Sequence, residues 1–308
     1  MDIYEVLASQ AMPIAIEPAE TSYFAPSSPG LDPRLFRGSK LIPQVRSSVL
    51  RLLYEHLGKY YRSTESFLNI WLAGSGVSHQ WSAARTPADL DCLVGVNYLK
   101  FRQSNPDYKA LSDKQISQMF NQGFQELNSA TSNFLGAFEL TFYANVNPDI
   151  LAIKPYAAYS LNRDDWDVKP ELKAQPKNKT ADLKSAKDMT MAMEILDRYA
   201  KALDDVRSAT TDVARRNAEY ALKLAVDQGA SLFEDIHSGR KAAFSSSGQG
   251  YSDIHNYRWQ AGKSTGVVQA LKKLKEIKDQ GKASFETKTY GMELPNTDVL
   301  IRRAIGGR

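Results

Sequence analysis

The sequence predicts an α+β chain, with a short mixed sheet in its first half and a mainly helical region in its second. Three observations carry that prediction. Short apolar runs at 67–73, 89–96 and 137–145 have strand length, and the third alternates inward and outward residues with a period of two. Between them, at 45–57 and 116–127, apolar residues recur three or four apart, as on one face of a helix. From residue 181 onward only the helical period remains, over 181–204, 211–236 and 266–278.

A chain of 308 residues, 43% hydrophobic and 24% charged, can bury a substantial core as one large domain or two smaller ones. No apolar run approaches the ~20 residues that span a bilayer, and the start MDIYEVLASQ lacks the basic and apolar regions of a signal peptide. A cytosolic protein with no membrane partner is therefore expected. The single cysteine, Cys92, excludes a disulfide within the chain and falls on the inward side of a predicted strand, where a thiol acts as a small hydrophobe. Charge is uneven. The chain from Glu171 on carries 24 Lys and Arg against 18 Asp and Glu, and the part before it 15 against 17. A triphosphate or a polyanionic acceptor held by the second half would suit that balance, although the excess does not demand nucleic acid.

In chain order, residues 1–40 hold five prolines and little periodicity, so they read as an irregular arm. Val45, Val49, Leu52, Leu53 and Leu57 follow the 3.6 period, and Gly58 marks a helix end. His56 near that face reads as structural, having no second ligand nearby in sequence. Phe67–Ala73 is the first strand and Asp89–Val96 the second. A helix is expected over 78–84, where His79 and Trp81 serve either packing or a nucleotide pocket. One or two helices are expected over 112–135, then a strand over 137–145 with Leu140, Phe142 and Ala144 on one face and Glu139, Thr141 and Tyr143 on the other.

The stretch 71–96, WLAGSGVSHQWSAARTPADLDCLVGV, carries the chemistry. Asp89 and Asp91 share a strand face while Leu90 and Cys92 point into a core. Two carboxylates held close together repel, and a divalent cation with oxygen ligands, Mg2+ or Mn2+, relieves the repulsion. Before them the first strand ends in Gly74-Ser75-Gly76, where glycine lets backbone N–H groups approach a phosphate closely. Glu139 is the third candidate carboxylate, being the acid embedded in an apolar strand soon after the pair. Glu126 and Asp149 lie in helix-like and turn-like settings.

Ala73-Gly74-Ser75, a spacer of thirteen residues (76–88), and Asp89-Leu90-Asp91 together resemble the signature of the nucleotidyltransferase (polymerase beta-like) superfamily. The match covers roughly residues 67–146, with the spacer at its long limit. More loosely, Asn105-Pro106-Asp107-Tyr108 and Asn162-Arg163-Asp164-Asp165-Trp166 look like nucleotidyltransferases encoded by bacteriophages. The resemblance implies a core at 41–165 in which Asp89 and Asp91 hold two metal ions, Glu139 binds one of them and helps deprotonate the acceptor, and Gly74 and Ser75 contact phosphates. It implies transfer of a nucleoside monophosphate from an NTP to an acceptor hydroxyl, with release of pyrophosphate. The acceptor is left open, RNA such as tRNA being one candidate, and so is the oligomeric state. Two rival readings are a synthase of oligonucleotide signals and a non-catalytic RNA- or protein-binding module.

Residues 162–180 read as a linker, and 166–308 as a mainly helical region closing the nucleotide cleft. Leu183, Met189, Met193, Leu196 and Leu203, then Val213, Tyr220, Leu224 and Leu232, read as the inward faces of two helices, the second capped by Thr210 or Thr211. Met189, Met191 and Met193 read as core filler. The polar segment 237–266 sets a Ser/Gly loop, 245–250, between cationic and aromatic residues, and Arg240, Arg258 and Lys263 are its candidate triphosphate ligands. Gly262-Lys263-Ser264 is not a Walker A ending, because position 257 holds tyrosine. His237 and His255 lack zinc-site spacing.

Overall fold

A computed structural model describes residues 12–19, 21–81, 87–172 and 176–290. The chain is α+β and divides into two compact units. Among the described residues, one gathers Ser22–Pro176 with Phe244–Tyr251; the other gathers 12–19, Lys177–Ala243 and 252–290. The N-terminal arm is thus shared between the two units, where the sequence suggests one irregular segment.

The first unit is built on a five-stranded mixed sheet. A small hairpin, β1 (Phe36–Arg37) with β2 (Lys40–Leu41), leads into α1 (Pro43–Gly58) and the short α2 (Thr64–Phe67). Then follow β3 (Leu68–Ala73), β4 (Ala88–Val96), α3 (Tyr98–Ser104), α4 (Asp113–Ala130), β5 (Phe138–Asn145), α5 (Ile150–Ile153), β6 (Ala158–Ser160) and β7 (Asp165–Val168). The strand order is β5-β4-β3-β6-β7, with β4 and β5 parallel and the other neighbours antiparallel. Strand β7 corrects the first part of the linker reading of 162–180, while the boundary between the units, Pro176 to Lys177, falls in its later part. Trp166 stacks on Phe36 at 5.3 Å and its indole N–H donates to Ser39 O, which seals that edge of the sheet.

Helices α1 and α4 cover one sheet face. Val49 and Leu53 of α1 and Ile116, Phe120 and Phe124 of α4 pack with Ile70, Leu72, Leu90, Cys92, Val94, Leu140 and Phe142. His56, buried on α1, bonds through Nε2 to Gly123 O at 2.9 Å and is structural. Helix α4 begins with a capping box, Ser112 and Gln115 each satisfying the other's backbone N–H. It also closes the β5 edge. Asn128 Oδ1 accepts from Phe142 N and its Nδ2 donates to Phe142 O, while Asn121 does the same for Ala144. Asparagines seven apart on a helix meet strand residues two apart, so the backbone groups that a foreign strand would seek are already taken.

The second unit is helical: α6 (Lys179–Ser208), α7 (Asp212–Ala243), α8 (Ile254–Thr265) and α9 (Val267–Tyr290). Thr211 caps α7 by accepting from Ala214 N. The inward face of α7 differs in part from the expected one: of the four residues expected there, Leu232 is buried. Ala218, Leu222, Ala225, Val226, Gly229 and Ala230 are buried, whereas Val213, Tyr220 and Leu224 are exposed. Small residues let the helices approach closely, and a Cβ on Gly229 would lie 2.2 Å from Leu274 Cδ1. On α6, Leu183, Met191 and Met193 are likewise exposed rather than core. Residues 12–19 run over the α8–α9 junction, with Ile14 and Ile16 packed on the helical core and Ala19 N bonded to Ser264 O.

Candidate functional site

The sheet face opposite α1 and α4 carries the acidic residues. Along β4, Leu90, Cys92 and Val94 are buried in the core, so Asp89, Asp91 and Leu93 emerge on the other face. In the parallel ladder Asp89 pairs with Glu139, Asp91 with Thr141 and Leu93 with Tyr143. Ala73 at the end of β3 pairs with Asp91 on the other side. Asp89 and Glu139 are half-buried and Asp91 is exposed. The two alternatives to Glu139 lie elsewhere: Glu126 is exposed on α4, and Asp149 accepts from Leu151 N as the cap of α5.

The glycine turn packs directly on the acids. Gly74 adopts φ +84, a conformation costly for other residues, and a Cβ there would stand 3.0 Å from Asp91 Oδ2. A Cβ on Gly76 would stand 2.6 Å from the Asp89 carbonyl oxygen. Ser75–Val77 form a single 3-10 turn. The helix expected at 78–84 is absent over 78–81, and 82–86 lie outside the described residues. In its place the arm holds the turn: Ser28 N donates to His79 O, Ser28 O contacts His79 Nδ1 at 3.0 Å, and Trp81 Nε1 donates to Gly30 O. Next to this, Asp32 takes a two-point ion pair from Arg34, whose guanidinium lies 4.6 Å over the Phe138 ring, one residue before Glu139. The sequence left the role of these arm residues unread, since their prolines hide a bracing function that only tertiary contacts reveal.

Beyond the acids, the same face is closed by a small apolar cluster of Trp71, Ala73, Ile150, Ile153 and Ala158, with Leu93 and Phe244 against it. Trp71 Nε1 donates to Asp167 Oδ2 at 2.6 Å. The Ser/Gly loop 245–250 follows Phe244 and belongs to this unit, as the sequence does not foretell. Lys154 Nζ donates to Gly248 O, and Gly250, at φ +65, leaves no room for a Cβ against Lys154 O.

The three cationic candidates flank the Ser/Gly loop as expected, but they lie in the helical unit on α7 and α8 rather than off the helices. Arg240, at the end of α7, places its guanidinium 4.9 Å over the Trp259 ring. Arg258 is buried, with Nε and Nη2 on Asp188 at 2.6 and 2.7 Å and Nη1 on Asp235 at 2.7 Å. That guanidinium is committed to the interior of the helical unit. Lys263 lies in the last turn of α8.

Cys92 is wholly buried, and burial pushes its thiol far above the ordinary range, with Asp91 adding to the shift. It is no nucleophile. The donor set for a cation is three carboxylates on adjacent strands of one face, which suits a hard ion in type and placement. As the side chains stand, no three His, Cys, Asp or Glu among the described residues converge into a ready metal cluster. No helix among the described residues is long and apolar enough to cross a membrane.

Comparison with known proteins adds nothing to this picture: no protein-family model, curated protein or solved structure matches the chain.

Proposed function

We propose that the sheet unit is a nucleotidyltransferase core that moves a nucleoside monophosphate from an NTP to an acceptor hydroxyl. The observation that carries the reading is the register of the parallel ladder, in which Glu139 is paired with Asp89 on the face shared with Asp91. Three acids from two neighbouring strands share one face beside a turn whose glycine backbone approaches one of them, and carboxylates gathered on one face carry an electrostatic cost. Such a cost is typical of a site that handles cations and phosphates.

In this reading Asp89, Asp91 and Glu139 hold Mg2+ or Mn2+, which when bound supplies charge neutralisation at the phosphates. The backbone around Gly74 and Ser75 receives the phosphate chain, Gly74 keeping a side chain out of the approach while its own N–H stays bonded to Ala157 O. Glu139, on the strand away from the glycine turn, orients the acceptor hydroxyl and takes its proton. The resemblance to polymerase beta-like nucleotidyltransferases supports the same assignment of roles.

A second reading, a non-catalytic binding module, is favoured by one observation: the acids do not converge into a cluster of metal-ligating geometry as they stand. Incubation with α-labelled NTPs, magnesium and total cellular RNA or lysate separates the readings. Label on a macromolecule supports transfer to it, labelled soluble oligonucleotides indicate a synthase, and an absence of turnover leaves the binding module.

A further inference from the structure

If the proposed reaction is accepted, the strand order divides the site into two sides. The glycine turn follows β3, and Glu139 lies on β5, so the Asp89–Asp91 strand stands between them. In-line displacement puts the attacking oxygen and the leaving pyrophosphate on opposite sides of the α-phosphorus. With the phosphate chain at the glycine turn, the acceptor must approach over β5.

What β5 presents there is an aromatic ring. Tyr143 is 46% exposed on the acidic face, although the neighbouring inward residues Phe142 and Ala144 are buried. It pairs with Leu93, one pleat beyond the Asp91–Thr141 pair. Val146 and Leu151, 46% and 60% exposed, follow it in the next turn and in α5. The strand beneath is pinned by Asn121 and Asn128, so the ring stands on a fixed support. Tyrosine on a rigid strand beside carboxylates offers a flat apolar surface to a planar group, at little entropic cost.

We infer that Tyr143 stacks against the base of the acceptor, and hence that the acceptor is a nucleoside hydroxyl, either at the end of an RNA or on a free nucleotide. The acceptor oxygen forms a bond to the α-phosphorus as the bond from that phosphorus to the α,β-bridging oxygen breaks. Pyrophosphate leaves with the electron pair, and the hydroxyl proton passes to Glu139.

Two measurements on the full chain test this. The first is the anisotropy of a fluorescent oligoadenylate without NTP, competed with AMP; the second is label transfer from an α-labelled NTP to oligoadenylate, AMP or protein. Tyr143→Ala should weaken oligoadenylate binding and raise the KM for the nucleoside acceptor by about tenfold, the order expected for one stacked base, while the KM for NTP stays unchanged. Tyr143→Phe should keep both near wild type. Displacement by AMP would mark a free nucleotide as sufficient, and its failure would mark an RNA end; either supports the inference. Binding in Tyr143→Ala equal to wild type, or label entering protein alone, would overturn it. Tyr143-dependent binding without any transfer would sustain the nucleoside surface and defeat the catalytic reading, whereas transfer indifferent to Tyr143 would do the reverse.

Discussion

Each candidate side chain makes a separate claim at the level of the residue. If Asp89, Asp91 and Glu139 act together, Asp91→Asn removes a carboxylate charge at nearly constant volume and should lower kcat by a hundredfold or more, equivalent to roughly 3 kcal/mol of transition-state stabilisation. Glu139→Gln should lower kcat to a similar degree while the KM for NTP holds, because its role is on the acceptor side; steady-state kinetics with varied NTP checks both. Arg258 makes the opposite claim. Its guanidinium is 4% exposed and shared between Asp188 and Asp235, so Arg258→Met strands a buried carboxylate and should destabilise the helical unit by about 3–5 kcal/mol, read from denaturant melts. His237 provides a pH test. It is half-buried between Phe233 and Trp259, each at 5.3 Å, and burial first, then Lys241, lowers its pKa from 6.5. A lowered folded value means that the unfolded chain takes up the proton first. Stability therefore holds above pH 6.5 and declines as the pH falls below it, towards the folded value. His237→Phe should flatten that decline in melts recorded on either side of pH 6.5.

Among the elements, β5 is the one on which the site depends. Asn128 gives the Phe142 backbone two hydrogen bonds, and Asn128→Ala leaves both groups unmet at a half-covered edge. A loss of about 2 kcal/mol is expected from thermal unfolding, together with faster amide exchange along β5. The strands were legible in the sequence because their apolar runs are short and, in β5, strictly alternating; β3, β4 and β5 fall within a residue or so of the positions that their patterns give. The inward face of α7 was legible only in part, because beside the buried Leu222, Val226, Leu232, Phe233 and Ile236 it uses Ala218, Ala225, Gly229 and Ala230, while Val213, Tyr220 and Leu224 face outward. Hydrophobic periodicity weighs large side chains, whereas close helix packing selects small ones. Strand β7 was equally hidden, since Asp165-Trp166-Asp167-Val168 is polar and held by its neighbours Ser160, Lys40 and Ser39 rather than by its own propensity.

For the whole molecule, the division into a sheet unit and a helical unit follows the change of period that the sequence shows near residue 180, but the chain crosses between units more often than that change reveals. Phe244–Tyr251 returns to the sheet unit, with the Tyr251 ring tilted against Tyr156 at 4.5 Å, and residues 12–19 belong with the helices. Short excursions of this kind carry no periodicity of their own and are fixed by a few glycines and aromatics at the receiving surface. The acidic face itself was foreseeable from Asp89-Leu90-Asp91 and the alternation of β5; the pairing of Asp89 with Glu139 required the register. The most direct test of the central claim is label transfer from an α-labelled NTP in the presence of magnesium and cellular RNA, comparing the wild-type chain with an Asp89→Asn, Asp91→Asn double variant whose fold is verified by circular dichroism. The account predicts labelled acceptor and pyrophosphate with the wild type and neither with the double variant. Equal labelling by a folded double variant would contradict it.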